Sequence, residues 1–428
     1  MQRVFVALAL AVTLVSTVAR AQTDAPGTAA AAAIPAAPVA PVAVDDPLSI
    51  YTLTFGPGDH PFFMFGHDAL LVRDRKTGTD RVYNFGTFRF DSPRLILDFL
   101  KGRLTYWLSV SSLPGTIASY ERENRGILLQ ELALSAAAKR ALRDRLDENA
   151  RLENREYKYD YFLDNCSTRV RDAIDRATGG ALREASRAPG RLTLREQALR
   201  MTAGAPWFAL ALDLVLAGRT DRPMDRWGEM YIPEELAAGL RAVTIPGPAG
   251  PHPLVAGEQT IFRASRPDPL HVPPSRFVTM LLMGLGLGVV FLALGWAAPL
   301  RKLARVTLGI LVALWGLVVG FVGCFLVYVW AFTDHVVAHR NENIFLCAPW
   351  ALALVVLGLG VAFGSRRAAL AALRVSVAAL LLALLGWALK ALPPFHQHNA
   401  ALIALFVPPW IGLAAGLLHA RHGAGSGL

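Results

Sequence analysis

Five long apolar segments in the C-terminal part of the chain constrain its fold more than any other feature of the sequence. Each has about the 20 residues that a helix needs to cross the hydrocarbon core of a bilayer. A bilayer also requires each segment to satisfy its own backbone hydrogen bonds, which a helix does. The segments are residues 277–299, 306–332, 344–363, 369–389 and 400–419. The sequence therefore predicts an all-α bundle of five transmembrane helices within residues 276–420.

The basic residues of the loops predict how these helices are oriented. Three basic residues follow the first segment and two follow the third, whereas each of the other two loops has one. The clusters are Arg301, Lys302, Arg305, Arg366 and Arg367, and the single residues are Arg340 and Lys390. Because cytoplasmic loops carry the excess of Lys and Arg, these clusters place residues 22–275 outside the inner membrane.

Residues 1–21 have the features of a secretory signal peptide. Arg3 precedes an apolar stretch that is too short for a comfortable membrane span, and Ala19-Arg20-Ala21 is a small-residue cleavage signal. Residues 22–46 are rich in Ala and Pro, which predicts an extended linker without a core. The signal peptide agrees with the loop charges, so we expect a protein of the bacterial inner membrane with its first half in the periplasm.

The net charge of +10 does not indicate a nucleic-acid-binding protein. Residues 22–275 carry 31 basic and 31 acidic side chains, so the excess lies in the signal peptide and the membrane part. Nucleic-acid binding depends on a surplus of basic groups that neutralise phosphates. The three cysteines exclude a disulfide scaffold and a Cys-rich zinc site, and no His-Glu-x-x-His spacing indicates a metal. We therefore expect no cofactor, no metal and no nucleic-acid partner.

Residues 47–245 predict a single exported domain of the α+β class. Apolar runs at residues 70–72 and 81–85 flank a turn-rich stretch, a pattern typical of a β-hairpin. Helical periodicity follows, and residues 205–217 are apolar but too short to cross a membrane. A Pro-rich stretch over residues 246–275 predicts a second linker before the membrane helices.

Cys166 is the only cysteine of the exported domain, so it has no disulfide partner there. It follows Asp164 and Asn165, either of which can cap a helix that begins near Cys166. The amide groups of a first helical turn stabilise a thiolate, and Arg169 one turn later adds positive charge. This position predicts a nucleophilic cysteine with a lowered pKa. The alternative is a buried cysteine that only packs.

A cysteine nucleophile in acyl transfer requires a base, and His67 is the first candidate. His67 begins an apolar strand, and Gly66 before it allows close approach of the backbone. His60 lies in a turn and is expected to be a surface residue. A third group orients the imidazole in such sites. Asn84 on the facing strand is our first choice for that group, and Asp68 is the alternative.

Five segments around these residues together resemble the Lnb-type N-terminal periplasmic domain. They are FGHDALLV, VYNFGTFRFDSP, FLKGRLTYWL, ENRGILLQELALS and YDYFLDNCSTRVRD, within about residues 48–240. The resemblance implies a permuted papain-like fold, similar to NlpC-type enzymes and to lecithin:retinol acyltransferase, in which cysteine carries an acyl group as a thioester. By position in the motifs it implies Cys166 as nucleophile and His67 as base. It also implies N-acylation of lipoproteins with an acyl chain from phospholipid.

Two outward loops of the membrane part are rich in polar residues. They predict either side chains that anchor helices at the membrane surface or a lipid-binding site below the exported domain. The candidates for that lipid site are His335, His339, Asn341 and Asn343.

Three functions are compatible with these features. The first is a membrane-bound cysteine acyltransferase that moves an acyl chain from phospholipid to the N-terminal amine of a lipoprotein. The second is an NlpC-type hydrolase of cell-wall peptides, and the third is a non-catalytic envelope assembly module. Lipid substrates explain a five-helix membrane part, whereas a soluble cell-wall substrate requires only one anchor. The pairing of His67 with Cys166 argues against the third, so we expect the acyltransferase.

Overall fold

The computed structural model of the protein describes residues 46–88, 95–248 and 250–420. The predicted signal peptide, and all of the first linker except Asp46, lie outside these residues. Within the described chain, a sheet-rich domain is followed by a helical membrane part.

A seven-stranded antiparallel sheet forms the centre of the first domain. Its strand order is β6-β4-β3-β2-β1-β5-β9. The strands are β1 (Leu48–Phe55), β2 (His67–Asp74), β3 (Thr79–Thr87), β4 (Thr105–Ser112), β5 (Ile127–Leu132), β6 (Glu156–Lys158) and β9 (Val255–Phe262), and β7 (Thr244–Ile245) pairs with β8 (His252–Pro253) in a separate small sheet. Strands β2 and β3 form the hairpin that the sequence predicts, with Leu70 opposite Tyr83.

Strand β9 lies within residues 246–275, which the sequence predicts to be a linker. It pairs with β5 from Ile127 to Leu132 and forms one edge of the sheet. Its Val, Thr, Ile and Phe residues favour extended structure, and the Pro residues that indicated a linker lie on either side of it. The first domain therefore extends to Phe262.

Helices cover both faces of the sheet. They are α1 (Leu95–Lys101), α2 (Leu113–Arg122), α3 (Ala136–Asn149), α4 (Cys166–Ala177), α5 (Ala181–Ala185), α6 (Leu194–Met201), α7 (Pro206–Val215), α8 (Arg226–Glu229) and α9 (Pro233–Arg241). Val170 and Ile174 of α4 pack in one buried cluster with Leu70 and Val72 of β2. Leu71 points to the other face, where α2 packs. Alternate residues of β2 therefore face α4 and α2.

Four helices of the membrane part are long and apolar enough to cross a bilayer. They are α10 (Phe277–Ala297), α11 (Lys302–Phe332), α13 (Arg366–Leu389) and α14 (Ala400–Ala420). They correspond to the first, second, fourth and fifth predicted segments. Glycines allow close packing of α10 on α14, because a Cβ at Gly295 would lie 2.2 Å from the Cα of Gly416.

The third predicted segment, residues 344–363, is not one continuous helix. It contains short 3₁₀ turns and one helix, α12 (Ala353–Ala362), of ten residues. Pro349 lacks a backbone N–H and interrupts the helical hydrogen bonds. The segment still follows α11 in the opposite direction, since Gly323 faces the carbonyl of Cys347 and Gly309 faces Gly358. The structure thus supports four full-length helices and one broken segment.

Candidate active site

Cys166 occupies the first position of helix α4, as the sequence predicts. The cap is Asn165, whose Oδ1 accepts a hydrogen bond from the Thr168 backbone N–H at 2.9 Å. In return the Thr168 hydroxyl accepts the Asn165 N–H at 2.8 Å, which completes a capping box. Asp164, the other candidate cap, instead pairs with Arg169 at 2.7 Å. This double cap fixes the start of the helix and therefore the position of the thiol.

The Cys166 thiol is buried, with 7% of the residue exposed. The backbone N–H of Asp68 and the Tyr159 hydroxyl face the sulfur and favour its ionised form. Burial raises the pKa of Cys166 to about 11, and the negative charge of Asp68 adds to this effect. The lowered pKa predicted from the helix position is not found. Arg169 does not provide the expected charge, because it is paired with Asp164 and its guanidinium lies 3.7 Å from the centre of the Tyr157 ring.

His67 is the first residue of β2, as predicted, and its side chain is half-buried. The imidazole lies parallel to the rings of Phe55 and Tyr120, with centroid distances of 5.9 and 6.2 Å. Burial, followed by the positive charge of Arg125, lowers the pKa of His67 to about 3, and a hydrogen bond with Asn84 raises it. The ring is therefore neutral at physiological pH, with Asn84 as its polar partner.

Gly66 has the role that the sequence suggests. Its φ is +83°, a conformation that favours glycine, and a Cβ there would lie 2.7 Å from the Phe55 carbonyl oxygen. Any other residue at this position would displace the start of β2 and with it His67.

The structure brings the four candidates together in two pairs. His67 and Asn84 interact with each other on the face of the sheet that α2 covers, whereas Asp68 and Cys166 meet on the face that α4 covers. Among the described residues, no hydrogen bond joins the Cys166 sulfur to the His67 ring. Residues 67 and 68 are consecutive, however, and the backbone N–H of Asp68 contacts the sulfur. Asn84 is therefore the residue that interacts with His67, and Asp68 is the residue that interacts with Cys166.

Asp68 is fully buried beside the thiol. The Thr54 hydroxyl donates a hydrogen bond of 2.8 Å to its Oδ1, whereas Oδ2 has no partner among the described residues. Burial raises the pKa of Asp68 to about 7, and contacts with the hydroxyls of Ser167 and Thr54 reduce this shift. The sequence identified Asp68 only as a rival of Asn84 and did not predict its place next to Cys166.

Residues 44–198 match the family model of the Lnb N-terminal periplasmic domain. This segment of the chain is an Lnb-type periplasmic domain. The match contains His67, Asn84 and Cys166 and confirms the resemblance seen in the sequence motifs. Neither the curated proteins nor the solved structures give a match to the chain. The protein is thus a membrane protein with an Lnb-type periplasmic domain.

A row of aromatic side chains connects the thiol of the Lnb domain with the membrane part. Tyr159, whose hydroxyl faces the sulfur, stacks on Tyr106 with ring centroids 4.0 Å apart. The hydroxyls of Tyr106 and Tyr161 are 3.3 Å apart, and Tyr161 packs edge-on against Phe99. Phe99 in turn packs against His335 of the membrane part. The abundance of Tyr in residues 157–161 was the only sequence signal for this row.

The two candidate lipid-binding histidines are hydrogen-bonded to the backbone. His335 Nε2 lies 2.8 Å from the carbonyl oxygen of Phe99 in α1, and His339 Nε2 lies 2.9 Å from that of Thr333. The backbone N–H of Asp334 also donates to the carbonyl of Lys101 at 2.9 Å. The contacts of His335 and Asp334 attach this loop to the Lnb domain, close to the end of the aromatic row, whereas the contact of His339 lies within the loop.

Asn341 and Asn343 bind the end of helix α7. The amide of Asn341 donates to the carbonyls of Leu214 and Val215 at 2.9 and 2.7 Å. The amide of Asn343 also donates to Leu214, at 2.9 Å. Both side chains thus satisfy carbonyls that a helix leaves unpaired at its C terminus. Their amides are used in joining the two parts of the molecule and are not available to a lipid headgroup.

A set of buried ion pairs lies beside these asparagines. Arg195, which is 2% exposed, binds both Asp213 and Asp221 at 2.7 Å. Asp221 also accepts the backbone N–H of His398 in the membrane part at 2.9 Å, and Gln397 donates to the Leu216 carbonyl at 3.1 Å. We call these ion pairs, together with the two asparagines and Gln397, the docking network. Its members are Arg195, Asp213, Asp221, Asn341, Asn343 and Gln397.

The described residues contain no group of three or more His, Cys, Asp or Glu side chains that could hold a metal ion. The polar side chains around Cys166 and His67 include a carboxyl group, a carboxamide and several phenols.

Proposed function

We propose that this protein is a cysteine acyltransferase of the bacterial inner membrane that transfers an acyl chain from phospholipid to the N-terminal amine of a lipoprotein. The observation that carries the proposal is the placement of Cys166. It begins a helix in an Lnb-type domain, and a row of aromatic rings leads from it to a loop of the membrane part. A soluble domain on a single anchor would not require that connection.

The reaction has two steps. The Cys166 sulfur attacks the ester carbonyl of a phospholipid; a C–S bond forms, the ester C–O bond breaks, and the lysophospholipid leaves with a proton. The amine of the acceptor then attacks the thioester; a C–N bond forms, the C–S bond breaks and the thiol is restored. Thioester formation thus divides one acyl transfer into two easier steps.

His67 is the proposed proton carrier for both steps, and the proposal requires its ring to come within hydrogen-bond reach of the sulfur or the leaving group once the substrate is bound. Its ring is neutral and therefore has a nitrogen free to accept a proton, and Asn84 is its hydrogen-bonding partner. His67 directly precedes Asp68 in the chain, and the backbone N–H of Asp68 faces the sulfur. That N–H and the Tyr159 hydroxyl also stabilise negative charge on the sulfur when the thioester breaks.

The membrane part supports a lipid substrate over a cell-wall peptide. Four helices suited to crossing a bilayer are present, and the loop at His335 contacts the Lnb domain directly. With these helices in a bilayer, the ester of a phospholipid at headgroup level would lie close to this loop. The aromatic row from Phe99 to Tyr159 offers an apolar environment for an acyl chain between the loop and the thiol.

The test is the mass of lipoprotein N-terminal peptides from cells that express the wild-type chain, Cys166→Ala, or neither. We expect the mass of an added acyl chain only with the wild type. Muropeptides from the same cells serve as the second readout. Unchanged lipoprotein N termini together with Cys166-dependent changes in muropeptides would replace the acyltransferase with the hydrolase.

A further inference from the structure

Helix α7 has an apolar surface, formed by Trp207 and Ala211, that the rest of the described chain leaves exposed. We propose that this surface lies in the leaflet of the bilayer that faces the Lnb domain, at the boundary between the lipid headgroups and the acyl chains. The partner is therefore a phospholipid surface. The inference goes beyond the proposed function and does not depend on acyl transfer, because it concerns how the Lnb domain is held at the membrane.

The sequence of α7 suits a helix at the surface of a membrane. It reads PWFALALDLV, and Asp213 is its only charged residue. A helix at a water-exposed surface normally has charged and polar residues on the face away from the core. The ten residues of α7 extend over about 15 Å, whereas the hydrocarbon core of a bilayer is roughly 30 Å thick. The helix is therefore too short to cross a bilayer and apolar enough to lie in its surface.

Two neighbouring sides of α7 are in contact with different parts of the molecule. On one side Asp213 is buried and binds Arg195 of the Lnb domain at 2.7 Å. On the next side Leu210 and Leu214, one turn apart, pack against the buried apolar cluster of the membrane helices. With about 3.6 residues per turn, Trp207 lies on the same side as Leu210 and Leu214, three and seven residues later. The side of α7 that faces the membrane helices therefore includes Trp207.

The exposure of Trp207 shows that the membrane helices do not cover this side completely. Trp207 is 70% exposed, whereas Leu210 and Leu214 are partly buried against the membrane helices. Ala211, which borders the same side, is also exposed. A single exposed apolar residue needs no explanation in a soluble protein. Here, however, the exposed residues continue a contact with apolar membrane helices, and the environment that surrounds such helices is lipid.

Arg276 fixes the level of α7 relative to the first membrane helix. It directly precedes α10 and binds Asp213 of α7 at 2.8 Å. The first two residues of α10, Phe277 and Val278, are apolar and exposed, as expected of a helix that faces lipid from its first turn. Helix α7 therefore lies where the first membrane helix begins, which is the headgroup level of the bilayer. Trp is enriched at this level, because its ring is apolar and its N–H can bind water or a headgroup.

The experiment measures whether a label at residue 207 lies in lipid or in water. The full chain with Cys166→Ala, Cys324→Ala and Cys347→Ala is placed in phospholipid vesicles, and Trp207→Cys supplies a single thiol for a nitroxide label. Electron paramagnetic resonance then compares collisions of the nitroxide with oxygen, which concentrates in lipid, and with a nickel chelate, which stays in water. We expect collisions with oxygen to predominate at residue 207.

Leu152→Cys is the matched control, because Leu152 is an apolar residue of the Lnb domain that is 73% exposed. It lies between the exposed residues Arg151 and Glu153, whose charges keep this turn in water. The ratio of oxygen to nickel collisions at residue 207 should be several times the ratio at residue 152. Ala211→Cys tests the same surface with Trp207 in place and should give the same result, which decides the question if replacing Trp207 disturbs the fold.

Two outcomes would overturn the proposal. Labels at residues 207 and 211 that meet the nickel chelate as often as the label at residue 152 would show that the surface lies in water. Spectral broadening between nitroxides that increases with the ratio of protein to lipid would show that a second copy of the chain covers the surface. Because the measurement requires no acyl donor and no catalytic thiol, its result stands whether or not the protein modifies lipoproteins.

Discussion

The protein has two buried polar regions, and they differ in how completely their charges are compensated. In the docking network Arg195 binds two carboxylates, and Asp221 accepts a further backbone N–H. Beside the thiol, one carboxyl oxygen of Asp68 has no hydrogen-bond partner in the described part of the chain, and no cation there offsets its charge. Both regions are fully enclosed, so depth of burial alone does not separate them.

The difference separates a structural polar site from a reactive one. A paired buried charge is stable only with its partner, and its removal leaves an uncompensated group. A buried acid that no cation compensates instead destabilises the fold when it ionises, because burial disfavours the charged form. The same substitution, carboxylate to amide, should therefore have opposite effects on stability at Asp221 and at Asp68.

The largest expected effect is on activity alone. Cys166→Ala should abolish acyl transfer, because no other described residue at the site can form a thioester. Ala is well tolerated in a first helical turn, so the free energy of unfolding should change by about 1 kcal/mol or less. Lipoprotein mass spectra check the loss of activity, and thermal unfolding in detergent checks that stability is retained. A variant that unfolds would mean that the thiol site is a structural site like the docking network.

Asp221→Asn tests whether the paired charges of the docking network stabilise the fold. It removes one carboxylate from Arg195, which is 3% exposed in its side chain. Breaking a buried ion pair in this way destabilises by about 3–5 kcal/mol. Asp144→Asn is the control, since Asp144 pairs with Arg143 at the surface with 64% of its side chain exposed. Similar melting temperatures for the two variants would show that the docking network contributes little.

Asp68→Asn should stabilise the protein above neutral pH, which is the opposite of the effect expected for Asp221→Asn. The pKa of Asp68 rises from its ordinary value of 3.8 to about 7 on folding. Between these values the folded protein binds a proton that the unfolded chain has released, so the unfolding free energy falls as pH rises. The loss reaches about 4 kcal/mol above pH 7, from 1.36 kcal/mol per pKa unit.

An asparagine at position 68 has no titrating proton, so the Asp68→Asn variant does not lose unfolding free energy as the pH rises. Its melting temperature should exceed that of the wild type at pH 8, and the difference should shrink as the pH approaches 4. A melting temperature below that of the wild type at pH 8 would place Asp68 with Asp221 as a structural carboxylate.

His67→Ala should reduce turnover on the order of a hundredfold, the usual contribution of general acid–base catalysis. His60→Ala should retain most activity, because His60 is exposed in a turn outside the sheet. The alkylation rate of Cys166 provides a second readout for both variants. If His60→Ala removed turnover while His67→Ala did not, the base would have to be assigned again, with His335 and His339 tested next.

Much of this arrangement could be predicted from local sequence. A cap residue before Cys166 predicts a helix start, and the apolar run after Gly66 predicts a strand at His67; both depend on neighbours within a few residues. The membrane helices follow from length and composition, except where Pro349 interrupts the third segment. Strand β9 was missed because flanking proline residues dominated the composition of residues 246–275.

The contacts of the site residues could not be predicted in the same way. Alternation along β2 requires His67 and Asp68 to face opposite sides of the sheet. Which side holds the thiol depends on how α4 packs, about a hundred residues later in the chain. The hydrogen bonds of Asn341 and Asn343 to helix α7 could not be predicted for the same reason, because the carbonyls that they bind belong to a helix far away in the sequence.

The smallest expected effect concerns the exposed ion pair between the Lnb domain and the membrane part. Arg103 and Asp334 approach to 3.0 Å, with side chains 55% and 46% exposed. Exposed pairs contribute little to stability because water and salt screen them. The backbone bond from Asp334 to Lys101 and the contact of His335 with Phe99 remain when the Arg103 side chain is removed. We test this pair with a double-mutant cycle of Arg103→Ala and Asp334→Ala, followed by thermal unfolding at low and high salt. The two substitutions should be close to additive, and any coupling between them should decrease with salt. A strong coupling that resists salt would mean that this exposed pair stabilises the contact between the two parts of the molecule as the buried ion pairs of the docking network do.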